Sequence, residues 1–133
     1  MPAGMRGQST CGTLTLAVLW PLLGCGHGAS SAPVAPPSGA SATFTITRSG
    51  VSPKNIDIAL GDRVAFVNND GVAHSIGSNP HPDHSDCPGI NQAGFLLPGS
   101  THETGNFVTA RVCGFHDHDD PFNQTLWGTI TTK

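Results

Sequence analysis

The sequence predicts an all-β domain, a sandwich or barrel of short strands, and two observations carry this prediction. Gly and Pro account for 17 and 11 of the 133 residues while only 11% of residues are charged, which disfavours a coiled coil or helical bundle. Short stretches that alternate apolar and polar residues recur between turn signals, and no window has a convincing helical period. A chain of this length holds one domain once any export segment is removed.

The first two predicted strands follow from this alternation. In the first, Phe44 and Ile46 share one face, and in the second Ile56, Ile58 and Leu60 are expected to face the core. A strong turn signal, Asn-Asn-Asp-Gly, closes the third strand. We predict strands at residues 42–47, 55–60, 63–67, 107–115 and 125–131, with a long loop at residues 77–94.

The N-terminal segment is predicted to be an export signal. Arg6 precedes a short apolar run that ends in Leu-Leu-Gly-Cys25, which resembles a bacterial lipobox. The resemblance implies cleavage before Cys25 and a lipid on its sulfur, whereas an ordinary secretory signal would leave Cys25 incidental. We therefore expect a signal peptide at residues 1–24, a flexible tether at 25–41 and a domain at 42–133, anchored to a membrane on the periplasmic or extracellular side.

Histidine carries the chemistry of the chain. Imidazole nitrogen suits copper and zinc, and such sites generally favour Cu(II) among divalent ions. Because end loops of a sandwich come together, we expect the histidines to converge at one pole. Five of the seven fall in three groups: His74, His81 with His84, and His116 with His118. His27 and His102 are assigned no metal role. The net charge of −3 disfavours nucleic-acid binding, which requires a basic surface.

Two segments resemble the cupredoxins, the superfamily of plastocyanin and azurin. Residues 64–75 (VAFVNNDGVAHS) are similar to their first copper-ligand segment, and residues 107–130 to their C-terminal ligand loop and last strand. The resemblance implies a Greek-key β-sandwich of about seven to eight strands and maps His74 onto the first copper histidine. It also implies a non-enzymatic protein that binds one copper ion, with zinc possible, and serves electron transfer or copper delivery with a redox or copper-trafficking partner.

The second segment aligns with the family in two ways. In the first alignment, Cys113-Gly-Phe-His116 matches the Cys-x-x-His spacing of a type 1 copper loop. The ligands would then be His74, Cys113 and His116. The axial Met is absent, because both Met residues lie in the predicted signal peptide.

The second alignment places Phe115 in the core and Asp117 at the thiolate position. It resembles a cupredoxin-like group of exported proteins in which His pairs replace the Cys–His ligands. Cys87 and Cys113 are then free to form a disulfide, as two remaining cysteines of an exported domain most simply do. We favour this alignment because of the inward Phe115 and the even Cys count. The candidate metal ligands are His74, His116, His118, His81 and His84, with Cys113 added only in the first alignment.

Two other functions are weighed. Gly114-Phe-His-Asp-His118 resembles a motif of copper–zinc superoxide dismutases, although over five residues only. A structural lipoprotein domain with solvated histidines is the other alternative. The sequence contains no nucleophile elbow, Walker loop or dinucleotide fingerprint.

Overall fold

The computed structural model describes residues 39–133, which form nine β-strands and two single-turn 3₁₀ helices. The helices are Ile90–Gln92 and Gln124–Leu126, and within this part of the chain no helix is long and apolar enough to cross a membrane. The strands are β1 (Ala42–Thr47), β2 (Gly50–Ser52), β3 (Asn55–Ile58), β4 (Val64–Asn68), β5 (His74–Ser78), β6 (Gly94–Leu96), β7 (Thr101–Glu103), β8 (Arg111–Asp117) and β9 (Gly128–Thr132). The all-β prediction is confirmed, with nine strands where seven to eight were expected.

The strands form two mixed sheets that pack into a sandwich. One sheet has the order β2-β1-β4-β7 and the other the order β3-β9-β8-β5-β6. The pairs β1–β4 and β3–β9 are parallel, and the remaining pairs are antiparallel. In the second sheet, Ile76 lies opposite Asp117 and Gly77 lies opposite His116. This register decides which face of the sheet each histidine occupies.

Three phenylalanines hold the two sheets together. Phe44 and Phe66 lie opposite each other on β1 and β4 and stack with ring centroids 5.2 Å apart. Phe115 of the facing sheet meets both rings edge-on, at 4.7 and 4.9 Å. All three side chains are fully buried, and edge-to-face contacts of this kind add to the energy of apolar burial. The inward position of Phe115 agrees with the second alignment.

Several strand boundaries differ from the prediction: β3 ends at Ile58, β4 is Val64–Asn68, and β9 begins only at Gly128. Residues 74–78 form β5. The first two residues of the loop predicted at 77–94 therefore belong to this strand. β8 starts at Arg111, four residues later than predicted, and continues to Asp117. Four strands were not predicted: β5, and the three-residue strands β2, β6 and β7, which are too short to show a period.

Leu60 was predicted to face the core, and this is wrong, since 53% of its surface is exposed. β3 ends at Ile58, and the chain then turns at Gly61, whose φ of +91° favours glycine. The Asp62 carboxylate accepts a hydrogen bond from the backbone N–H of Ala59 and so closes the turn. Leu60 continues the alternation in sequence but lies beyond the end of the strand.

A disulfide joins Cys87 to Cys113, with the Cα atoms 5.9 Å apart. This pairing confirms the predicted disulfide and removes Cys113 as a thiolate ligand, so the type 1 ligand set of the first alignment is wrong. The bond links the segment after β5 to β8, and both cysteines are buried. Cys25, the predicted signal peptide and most of the predicted tether lie outside the described residues.

Candidate metal centre

The two faces of β8 carry different residues. Cys113, Phe115 and Asp117 point into the sandwich, while His116 lies on the outer face opposite Gly77. His118 follows on the same outer face, and its backbone N–H donates to the carbonyl of Ser75. The shared parity of His116 and His118, expected from the sequence, therefore places both rings over the outside of the five-stranded sheet.

The segment after β5 returns over this outer face and brings two more histidines to it. The N–H of Asn79 donates to the Gly114 carbonyl at 3.0 Å, which fixes the start of the return. Within the segment, the N–H of His84 donates to the Pro80 carbonyl and that of Asp86 to the Asn79 carbonyl. These bonds form a compact loop that sets His81 and His84 above β8.

Four histidines meet here, and we call them the four-histidine cluster: His81, His84, His116 and His118. One ring nitrogen from each of His81, His84 and His116 lies within 4.8 Å of the others, close enough for a single ion to bind all three. The centroids of these three rings are 5.0–5.6 Å apart. The Nδ1 atom of His118 lies 2.7 Å from Nε2 of His84, so the fourth ring borders the group.

Two glycines let the loop approach the sheet so closely. A Cβ atom at Gly77 would lie 2.3 Å from Nδ1 of the His84 ring. A Cβ atom at Gly114 would lie 2.3 Å from the side-chain nitrogen of Asn79. Real Cβ atoms do not approach other atoms this closely, so a side chain at Gly77 would displace the His84 ring and one at Gly114 would displace the Asn79 amide. Glycine at these two positions thus leaves room on the outer face of the sheet for the His84 ring and the Asn79 amide.

The backbone of His84 is held in an unfavourable conformation. Its φ is +51°, in the left-handed region, which is uncommon for residues other than glycine and costs about 1 kcal/mol or more. The Ser78 hydroxyl and the Asn91 amide both donate to the His84 carbonyl at 2.8 Å and keep it there. Strained residues held by their surroundings cluster at functional sites.

His116 is the buried member of the cluster. Its Nδ1 atom lies 2.8 Å from Oδ1 of Asn79, whereas its buried Nε2 atom has no hydrogen-bond partner among residues 39–133. Burial lowers the pKa of His116, and repulsion from the rings of the other three histidines lowers it further, with partial opposition from Asp117. A neutral ring with an unpartnered nitrogen is the form of histidine that binds metal ions.

His74 lies on the inner face, apart from the cluster. Its Nδ1 is 2.7 Å from an Asp117 oxygen, and its Nε2 is 3.3 Å from an Asp70 oxygen. The other oxygen of Asp117 accepts from the backbone N–H groups of Ser75 and Asp119. Because both ring nitrogens of His74 are engaged and the thiolate position holds a carboxylate, this pole does not fit a type 1 copper site.

The structure thus brings four of the predicted ligands together and leaves two elsewhere. Cys113 is in the disulfide, and the assignment of His74 as a ligand stays a prediction. All three histidine groups were expected to meet, but only two do: His81 with His84, and His116 with His118. His74 lies apart from them. His102, assigned no metal role, has its Nδ1 2.7 Å from the Ala93 carbonyl oxygen on another part of the surface.

Sequence reasoning missed three residues of the site, Asn79, Gly77 and Gly114. Asparagine and glycine also occur in ordinary turns, so their types carried no specific signal. Their roles depend on the contact between the loop and the sheet, which no periodicity reports. Four exposed carboxylates lie in the same segments of the sequence and add negative charge that attracts cations: Asp83, Asp86, Asp119 and Asp120.

No protein-family model matches the sequence, and no curated protein matches it either. Several solved structures do match this chain. A purple cupredoxin from Nitrosopumilus maritimus is 23% identical, with a TM-score of 0.54, over 69% of this chain and 99% of its own. A mutant of amicyanin in its reduced state is 15% identical, with a TM-score of 0.57, over 72% and 84%. Oxidized plastocyanin from Dryopteris crassirhizoma is 16% identical, with a TM-score of 0.53, over 68% and 99%. Likeness at this level of identity shows a shared fold.

Proposed function

We propose that this chain, which has the cupredoxin fold, is an exported protein that binds one copper ion at the four-histidine cluster and delivers it to a copper-trafficking partner. The observation that carries the proposal is the approach of three imidazoles to within 4.8 Å of one another, one of them with a buried and unpartnered nitrogen. His81, His84 and His116 would hold the ion, and His118 is placed to join them. An ion bound there supplies a partner to the orphaned His116 Nε2.

Delivery is favoured over electron transfer by the donor set. The cluster contains no thiolate, and the thiolate ligand is what gives blue copper sites their electronic character. His81 and His118 are solvent-exposed, while His116 is buried. Exposed ligands allow an acceptor to take over the ion by stepwise ligand exchange. The acidic residues around the cluster favour the approach of a cation or of a basic partner surface.

Copper titration of the purified protein at about pH 7.5 tests the proposal. We expect one equivalent of Cu(II) to bind, with nitrogen hyperfine structure in the electron paramagnetic resonance spectrum and no intense band near 600 nm. H116Q is expected to weaken binding by about 100-fold or more, since even loss of an outer partner of a ligand costs about 10- to 100-fold. H102Q, which changes a histidine outside the cluster, serves as the matched control.

A second pair of variants tests the site without removing a ligand: one variant perturbs the site and the other is its control. G77A would push the His84 ring away and should weaken copper binding, whereas G71A adds a methyl group with no heavy atom within 4 Å and should not.

Absence of tight copper binding in the wild type would support the structural alternative instead. Superoxide consumption by the loaded protein would support the enzyme alternative, and preferential retention of Zn(II) in competition would replace copper with zinc.

A further inference from the structure

We propose that two consecutive residues, Ser78 and Asn79, fix the tautomers of His84 and His116 so that both rings present Nε2 to the metal. The inference rests on the proposed function for the metal itself, but the tautomers are a property of the metal-free protein. Ser78 ends β5 and Asn79 begins the loop, so the return of the loop places both hydrogen-bond acceptors beneath the cluster. Asn79 is a positioning residue in this proposal, because it acts on the ion only through His116.

The tautomer of His84 follows from its two neighbours. Its Nδ1 lies 2.8 Å from the Ser78 carbonyl oxygen, and a carbonyl oxygen can only accept, so Nδ1 carries the proton. In the neutral ring, Nε2 then has the lone pair. His118 Nδ1, at 2.7 Å, donates its proton to that lone pair in the metal-free protein. The Ser78 contact therefore assigns the metal-binding atom of His84 as Nε2, and the His118 contact is compatible with that tautomer.

His116 repeats this arrangement with a side-chain acceptor. Its Nδ1–H donates to Oδ1 of Asn79 at 2.8 Å, and the lone pair of Nε2 is left buried without a partner in the described part of the chain. Ligand histidines commonly donate their second ring N–H to an acceptor, which fixes the ring orientation and raises the basicity of the ligand nitrogen. Asn79 supplies that acceptor to the most buried ring of the cluster.

Asn79 is itself held rigidly. Its backbone N–H donates to the Gly114 carbonyl, and its own carbonyl accepts from the N–H of Asp86. Its side-chain amide lies against Gly114, where a Cβ atom would lie 2.3 Å from the amide nitrogen. The acceptor oxygen is thus fixed relative to β8, the strand that carries His116, which gives the hydrogen bond a defined direction.

Long-range proton–nitrogen NMR of the metal-free protein at about pH 7.5 reads each tautomer directly. We expect both His84 and His116 to carry the proton on Nδ1, the reverse of the form that dominates for free histidine in water. Nε2 protonation of His116 in the wild type would overturn the proposal. This measurement needs neither a variant nor copper, so its result is independent of whether the cluster binds the ion.

Two substitutions then test the role of Asn79. N79L removes the acceptor and should shift His116 toward the Nε2-protonated form, with a 10- to 100-fold loss of copper affinity, on the order of that for other outer partners. His84, whose acceptor is a backbone carbonyl, should keep its tautomer and serves as the internal reference. N79D keeps an acceptor oxygen and should restore both the tautomer and the affinity.

The outcomes separate the two proposals. If the tautomers are as expected but copper does not bind, the proposed function fails while the assignment of the ring protons stands. If copper binds the wild type and N79L with equal affinity, or if N79L leaves the His116 tautomer unchanged, the role of Asn79 is wrong while the proposed function stands.

Discussion

At the scale of single residues, His116 shows how packing keeps an imidazole neutral. A histidine on the outer face of a sheet is ordinarily solvated, but here the return of the loop leaves only 3% of the His116 surface exposed. Burial disfavours the protonated ring, and three neighbouring imidazoles disfavour it further. The ring is thereby kept in the neutral state that a metal ion requires, without any contribution from the ion.

The lowered pKa of His116 predicts how the stability of the metal-free protein depends on pH. The unfolded chain gains a proton at His116 near the ordinary value of 6.5, whereas the folded chain gains it only at lower pH. Below about 6.5 the unfolded state therefore binds more protons, and the free energy of unfolding should fall as the pH falls toward the folded-state pKa. Urea denaturation in the presence of a chelator, at about pH 7.5 and pH 5.5, measures this dependence.

The matched variant for that measurement is H116Q, which removes the titrating ring. It should lose part of the acid destabilisation, while H102Q should retain the wild-type profile. Equal pH profiles for the wild type and H116Q would show that the pKa of His116 does not contribute to the pH dependence of stability.

At the scale of elements, the site is a loop pressed onto a strand, and the disulfide ties the two together. Cys87 lies three residues after His84, and Cys113 lies three residues before His116. The bond therefore joins the segment that carries His81 and His84 to the strand that carries His116 and is followed directly by His118. In a small domain it also supplies stability that a limited core does not.

Removal of the disulfide should lower both the stability of the domain and its copper affinity. The double variant C87A/C113A is expected to lose roughly 3 kcal/mol of unfolding free energy on the chain-entropy estimate for a loop of this length, with a separation of 26 residues. Copper affinity should fall as well, because the loop is less firmly held to β8. Urea denaturation and copper titration measure the two effects.

Val112 provides the control on the same strand. Its side chain is exposed, so V112A should change the unfolding free energy by no more than about 0.5 kcal/mol. If C87A/C113A unfolds at the same urea concentration as the wild type and binds copper equally well, the disulfide neither stabilises the domain nor organises the site.

At the scale of the whole molecule, the chain has the fold of the cupredoxins but arranges its polar residues differently from a type 1 site. The inner pole is closed by hydrogen bonds from His74 to Asp70 and Asp117. The four-histidine cluster lies instead on the outer face of the five-stranded sheet, at the surface, where a partner can reach two of its rings. An exposed metal site suits transfer of the ion more than its retention.

The proposed export and anchoring are also properties of the whole molecule. If Cys25 carries a lipid, the protein expressed with its own leader in a bacterium should sediment with membranes and be released by detergent. C25S should move it to the soluble fraction, whereas the matched change C11S, within the predicted signal peptide, should not. Mass spectrometry of the N-terminus would identify the lipid, and wild-type protein found wholly in the soluble fraction would contradict the anchor.

The class of the fold and the chemistry available to it follow from the amino-acid sequence alone. Alternation of apolar residues predicted β1 and β3, because a strand buried on one face requires that period, and the turn signal after residue 67 marked the end of β4, which is buried on both faces. The inward Phe115 and the even number of cysteines favoured the disulfide that the structure contains. The clustering of histidines in a chain poor in charge predicted a metal site and named all four members of the cluster.

The position of that candidate site depends on how the folded chain brings distant segments together. Alternation shows which residues of a strand share a face, but not which histidines from other segments meet them, because that depends on register and on the return of a loop. The pairing of Ile76 with Asp117 places His74 inside, and the pairing of Gly77 with His116 places that ring outside. Asn79 and the two glycines act through contacts between segments distant in sequence, so their roles exist only once the chain is folded.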